Sequence, residues 1–267
     1  KFCKKQELKK AIKECETIIN ESDLASYEKC ETIIKKALEK GDTSDDTISV
    51  LHNIRAVLDD DFRNPIPTGI TGLDNLMDGG LSKGELGVIL APFGVGKTTL
   101  ITRFAHTAWD LGHNVVQIFF EDNPKVIQRK HTTCITNIAL NDLNSRREEV
   151  LEMVSKKKNE KTNHLILKKF KSANTTMQQV EQYLRKIISD GIRPDIVLLD
   201  YIDCIVTNRQ YKDEYAGEGD IMRSFETMIT DLNVVGWTAV QGNRSSIGAD
   251  IVDSNMIGGS IKKGQIG

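Results

Sequence analysis

The stretch Gly87-Val88-Ile89-Leu90-Ala91-Pro92-Phe93-Gly94-Val95-Gly96-Lys97-Thr98-Thr99-Leu100-Ile101 decides the fold. Its apolar start reads as a strand, its centre as a glycine turn, and its end as the opening of a helix. Glycine lets the backbone turn tightly enough to aim several N–H groups at one anion, and the helix start favours negative charge there. The residues expected to cradle a nucleotide are Ala91, Pro92, Phe93, Gly94, Val95, Gly96, Lys97, Thr98 and Thr99. Lys97 reaches the β and γ phosphates and Thr98 offers a hydroxyl to Mg²⁺, so ATP and Mg²⁺ are the expected cofactors. Ala91 stands where the usual pattern opens with glycine, so the first turn must accept a small side chain. The alternative is a glycine turn before an ordinary helix, and the strand-to-helix context with the adjacent Lys97-Thr98 outweighs it.

Working outward, the apolar runs 86–90, 115–120, 165–167, 196–199 and 234–240 are strand candidates, with helical stretches between the first four. Such alternation predicts an α/β fold, a mostly parallel twisted sheet with flanking helices, and puts functional residues at the carboxyl ends of strands. The run 196–199 ends in Asp200, an acid expected to hold Mg²⁺. The run 115–120 ends in Glu121-Asp122, where Glu121 is the candidate base for an attacking water and Asp122 its competitor. A third reading makes this acid a helix cap before Asn123-Pro124. The run 234–240 ends in Gln241, whose amide can sense a γ phosphate and pass the change to the loop behind it. Lys156-Lys157-Lys158 reads as a solvated helix face, and Asn174 or Thr175 as the cap of a helix through Met177, Val180, Leu184 and Ile187.

Before the core, residues 1–40 carry apolar residues at helical spacing, broken at Asn20-Glu21-Ser22-Asp23, and read as a helical hairpin. Residues 41–65 read as a linker with a helix through Ile48, Leu51, Ile54 and Leu58, and residues 66–267 as the ATPase domain. Lys plus Arg (36) nearly balance Asp plus Glu (38), so the charge of −2 gives no whole-molecule attraction to nucleic acid or membrane. Binding to DNA must then come from local groups, and Arg209, Lys212, Arg244, Gly259, Ser260, Lys262 and Lys263 in two polar loops are the candidates. Ordinary surface loops are the alternative for these residues. No apolar run reaches membrane-spanning length and no signal peptide opens the chain, so a cytoplasmic protein is expected. Cys3, Cys15, Cys30, Cys134 and Cys204 lack metal-site spacing and read as reduced thiols. A first residue other than Met and an end on Gly267 mark an expected fragment of a longer polypeptide.

Taken together, Pro67-Thr68-Gly69-Ile70-Thr71-Gly72-Leu73-Asp74, Gly94-Val95-Gly96-Lys97-Thr98, Glu121, Asp200-Tyr201-Ile202-Asp203, Gln241-Gly242-Asn243-Arg244 and Gly259-Ser260-Ile261-Lys262-Lys263 resemble the motor of DnaB-like replicative helicases, including phage-encoded ones. The resemblance implies a RecA-like fold, a homo-oligomeric ring, usually a hexamer, ATP between subunits and single-stranded DNA in the channel. It implies primase or a helicase loader as further partners, and the host cytoplasm if the chain is phage-encoded. It also implies a trans-acting arginine on a strand after the last motif, which this chain does not reach. Asp203 departs from the family, whose bacterial members carry Gln in that slot. The alternative is a RecA-family ATPase of the KaiC and RadA kind, acting in recombination or regulation without unwinding.

Overall fold

Residues 196–200 alternate between two apolar faces, and both are covered. Val197 and Leu199 belong to one core with Val180, Leu184, Met222, Phe225 and Ile229. Ile196 and Leu198 belong to a second with Ile101, Phe104, Ala105 and Ala108. A strand buried on both sides reads as a continuous apolar run, which is why these strands are legible in the sequence.

In the computed structural model, residues 2–21, 30, 33, 34, 63–172, 174–207 and 214–242 are described. The chain divides into two units, Lys1–Phe62 and Arg63–Gly267. In the first, helix α1 spans Phe2–Glu21. It buries Ala11 and Cys15, and the Cys15 thiol donates to the Cys30 carbonyl at 3.6 Å. Most of the expected second helix and the whole linker helix through Leu51 lie outside the described residues.

The second unit opens with a clasp. Asp74, in the short helix α2 (Thr71–Leu76), accepts from the Thr68 N–H and hydroxyl at 2.7 Å each and from the Gly69 N–H at 3.1 Å. The Thr-Gly…Asp pattern there is a structural closure. Then come β1 (Leu86–Ala91), α3 (Lys97–Asp110), β2 (Val115–Phe119), α4 (Pro124–Thr136), α5 (Arg147–Glu160) and β3 (Leu165–Lys169). They are followed by β4 (Thr175–Thr176), α6 (Met177–Ser189), β5 (Ile196–Asp200), β6 (Ile205–Val206), α7 (Glu214–Leu232) and β7 (Val235–Gln241). Five strands form one parallel sheet in the order β1-β7-β5-β2-β3, and β4 pairs with β6 in a small second sheet.

Parallel register brings the strand ends to one edge. Ala91 pairs with Gln241, and Phe119 pairs with Asp200. Packing at β1 is close enough to require glycine, because a Cβ on Gly87 would lie 2.4 Å from the Trp237 ring, which itself stacks against Phe104 at 4.8 Å.

Several local expectations change. Thr176, not Asn174 or Thr175, caps α6, through a capping box in which its hydroxyl accepts from Gln179 N–H while the Gln179 side chain accepts from Thr176 N–H. Asn123 caps α4, accepting from Lys125 N–H at 2.9 Å, so neither Glu121 nor Asp122 does so. The segment between β5 and β7, where no helix is expected, contains helix α7, with Gly217 buried in it.

Candidate nucleotide site

The candidate phosphate-binding turn is built by two glycines. Gly94 (φ +82°) and Gly96 (φ +97°) adopt the left-handed conformation that L side chains rarely accept. Ala91 needs no such freedom because it ends β1 in extended geometry, which explains how alanine is tolerated in the usual glycine slot. Gly96 precedes α3, so the first N–H groups of that helix open into the turn. Lys97 folds back over the loop and donates to the carbonyls of Ala91 at 3.0 Å and Pro92 at 2.9 Å. Burial pulls its ammonium below the usual lysine value, against the carboxylates of Asp203, Asp200 and Glu121, which favour the charge.

The cleft beside this turn has a volume of about 290 Å³ and includes Lys97, Thr98, Glu121, Asp200, Tyr201 and Gln241 in its lining. Phe93, Gly94, Gly96 and Thr99 line it as well, whereas Ala91, Pro92 and Val95 frame the turn without facing the cleft. Asp200 is only 5% exposed. Burial raises its carboxyl to about 6, with Asp122 adding to the rise and the Thr98 hydroxyl, Lys130 and Lys97 opposing it. A buried carboxylate with a hydroxyl beside it is an oxygen donor pair suited to a hard cation such as Mg²⁺, which keeps several waters. The raised carboxyl shows that the surrounding cations do not fully compensate the buried charge.

Glu121 and Asp122 are distinguished by their partners. Asp122 is ion-paired to Lys130 at 3.1 Å. Glu121 is exposed at the cleft and accepts a hydrogen bond from the Tyr201 hydroxyl at 3.1 Å, while its backbone carbonyl accepts from Lys169 Nζ. Burial, then Cys204 and Glu121, push the Tyr201 phenol up, so it stays protonated as a donor. The Gln241 N–H donates to Asp203 Oδ2 at 2.9 Å, and the Gly242 N–H donates to the Ala91 carbonyl at 3.1 Å. Asp203, the residue that departs from the resembled family, therefore holds the backbone of the strand end that carries Gln241.

Tyr201, Lys130 and Lys169 escaped sequence reasoning. Tyr201 directly follows Asp200 and carried a local signal, but Lys130 lies in the helix after the acid pair and meets Asp122 only through the fold. The DNA candidates Arg209, Lys212, Arg244, Gly259, Ser260, Lys262 and Lys263 all lie outside the described residues. Among the described residues no helix is long and apolar enough to cross a membrane, and Cys15, Cys30, Cys134 and Cys204 are free thiols.

Comparison with known proteins agrees with this geometry. The chain is 27% identical over 185 residues to the replicative DNA helicase DnaB of Helicobacter pylori, covering 67% of this chain and 37% of that protein. It is 24% identical over 199 residues to the DnaB-like replicative helicase of Enterobacteria phage T4, covering 72% and 42%. The chain thus spans about two fifths of the length of these relatives. Among solved structures, an ATPase domain matches with a TM-score of 0.66 at 18% identity, over 79% of this chain and 77% of that one. A DnaB-like replicative helicase, studied with its interactions with primase, matches with a TM-score of 0.63 at 19% identity, over 91% and 60%. These likenesses establish the RecA-like fold. The model of the family described as ATPase: KaiC matches residues 66–253. With the phosphate turn, the acids and the glutamine gathered at one sheet edge, the chain belongs to the KaiC ATPase family.

Proposed function

We propose that this chain is the ATP-hydrolysing motor of a DnaB-like replicative helicase, which translocates on single-stranded DNA and separates duplex strands. The observation that carries the reading is Glu121 at the mouth of the cleft containing Lys97 and Asp200, held by a hydroxyl and clear of the ion pair that occupies Asp122. Lys97 and the N–H groups of the turn bind the phosphates, with Ala91, Pro92, Phe93, Gly94, Val95, Gly96 and Thr99 shaping that turn. Thr98 and Asp200 hold Mg²⁺, which supplies charge neutralisation on the phosphates when bound. Glu121 orients the attacking water and takes its proton. Gln241 reads the γ phosphate, and its strand end passes the change through Asp203 to the segment after Asp200. Arg209, Lys212, Arg244, Gly259, Ser260, Lys262 and Lys263 contact DNA, in a homo-oligomeric and hexameric ring. The names of the sequence relatives support the reading, and primase is a partner suggested by the neighbouring structure.

The test is unwinding of a forked duplex with ATP, run beside Glu121→Gln. The variant is expected to keep nucleotide binding and lose about 10²–10⁴-fold in turnover. Full turnover in Glu121→Gln would remove Glu121 as the base and promote Asp122. The family match favours one other reading, a KaiC-like ATPase that unwinds nothing. Vigorous ATP hydrolysis with no strand separation, in a ring confirmed by light scattering, would support it.

A further inference from the structure

A glutamine stands in the middle of the fully buried strand β2. Gln117 is 0% exposed between Val116 and Ile118, in a position where an amide without partners is costly. Its partners form a chain with consistent donor direction. His131 Nε2 lies 2.8 Å from Gln117 Oε1, and because that oxygen only accepts, Nε2 carries the proton. Gln117 Nε2 then donates to Thr102 Oγ1 at 3.3 Å, and Thr102 Oγ1 donates to the Thr98 carbonyl at 2.7 Å. The chain ends on the backbone of the residue whose hydroxyl bonds Asp200.

A Thr hydroxyl bonded to the carbonyl four residues back is common in helices and tilts that carbonyl. What is unusual is that this hydroxyl also accepts from a buried amide, which is itself held by a buried imidazole. Thr102 and His131 are 1% and 3% exposed. Burial holds the imidazole neutral, its value pushed down to about 3, so it is a fixed donor. The arrangement carries a cost, because Nδ1 of His131 is buried with no hydrogen-bond partner. An apolar pair at 117 and 131 would avoid that cost, so packing alone does not account for these residues. The other end of the connection is also functional in placement, since α4 follows Glu121 and Asp122 and its Lys130 pairs with Asp122 one residue before His131.

We propose that His131 is a positioning residue for the phosphate-binding helix. Its N–H fixes the Gln117 amide, the amide fixes the Thr102 hydroxyl, and that hydroxyl sets the first turn of α3 and hence the Thr98 hydroxyl beside Asp200. The inference rests on the reading of Thr98 and Asp200 as the Mg²⁺-nucleotide site.

The experiment titrates Mg²⁺ into the full chain with a fluorescent, non-hydrolysable ATP analogue, read by anisotropy, with thermal unfolding measured in parallel. His131→Leu and Gln117→Leu are expected to raise the half-saturating Mg²⁺ concentration about tenfold, near the low end for outer partners of a metal ligand. Two further variants separate positioning from packing. Glutamine can place an amide N–H where Nε2–H lies, whereas asparagine places one near Nδ1. His131→Gln is therefore expected to titrate like the unaltered chain and His131→Asn like the leucine variant, and this pair decides the matter if His131→Leu does not fold. Folded variants that all titrate like the unaltered chain, or Gln and Asn variants that behave alike, would overturn the proposal. Failure of the unaltered chain to bind nucleotide at all would instead overturn the reading of the cleft beneath it.

Discussion

Replacing Asp200 by asparagine should stabilise the metal-free protein while removing its response to Mg²⁺. The folded carboxyl titrates at about 6 against an ordinary 3.8, chiefly because the side chain is buried. Below 3.8 the carboxyl is protonated in both folded and unfolded chains and imposes no charge-burial cost. As pH rises, the unfolded chain releases its proton first, so stability is lost progressively until about pH 6, and the whole cost is present above that. The gap of about two pH units, at about 1.4 kcal/mol each, caps the cost at roughly 3 kcal/mol. Because an asparagine amide also pays for burial, a gain of about 1–2 kcal/mol is the expected net effect. For a domain of this size that raises the unfolding midpoint by roughly 2–8 °C. The assay is thermal unfolding in chelator at pH 4 and pH 8. The advantage of Asp200→Asn should be present at pH 8 and lost or reversed at pH 4, where the carboxyl is neutral and the amide still bears its burial cost, and Mg²⁺ with nucleotide should stabilise only the unaltered chain. Equal gaps at both pH values, or no gain at pH 8, would refute the argument that uncompensated burial strains this site.

Tyr201→Phe removes the donor 3.1 Å from Glu121 Oε1 and is expected to lower kcat for ATP about fivefold, as for one net hydrogen bond, with KM little changed. Steady-state kinetics check it, and an unchanged kcat would show that Glu121 is positioned without the phenol. Gly87→Val forces a side chain into the Trp237 ring and should cost about 1–3 kcal/mol in urea unfolding. Thr176→Ala removes half of the capping box on α6 and should cost about 1 kcal/mol by the same measurement, whereas Asn174→Ala should be nearly neutral.

Where function depends on short-range chemistry, the residues could be read directly. The turn at Gly94 and Gly96, the apolar runs and the acids or amide that end them are local patterns, because a strand buried on both faces must be apolar and a parallel sheet delivers its carboxyl ends to one edge. Boundaries were less legible where neighbours compete for the same role. Asn174, Thr175 and Thr176 are all capping types, and pairing of β4 with β6 puts Thr176 at the helix start. Helix α7 was hidden by glycines that lower helix propensity; Gly217 and Gly219 are both buried in it.

By itself, then, the amino-acid order determined that a strand, a glycine turn and a helix follow one another at residues 86–110, that the sheet around them is parallel, and that Glu121, Asp200 and Gln241 stand at strand ends. Only the tertiary structure decided which of these side chains are free to act. Asp122 is committed to Lys130, Glu121 is held by Tyr201, Asp203 clasps the strand end at Gln241, and Gln117 joins Thr102 to His131. The contacts of Glu121 with Tyr201 and of Asp203 with Gln241 join residues 80 and 38 positions apart at the ends of different strands, so they depend on strand order and register. Those are properties of the packed sheet, and no local propensity encodes them.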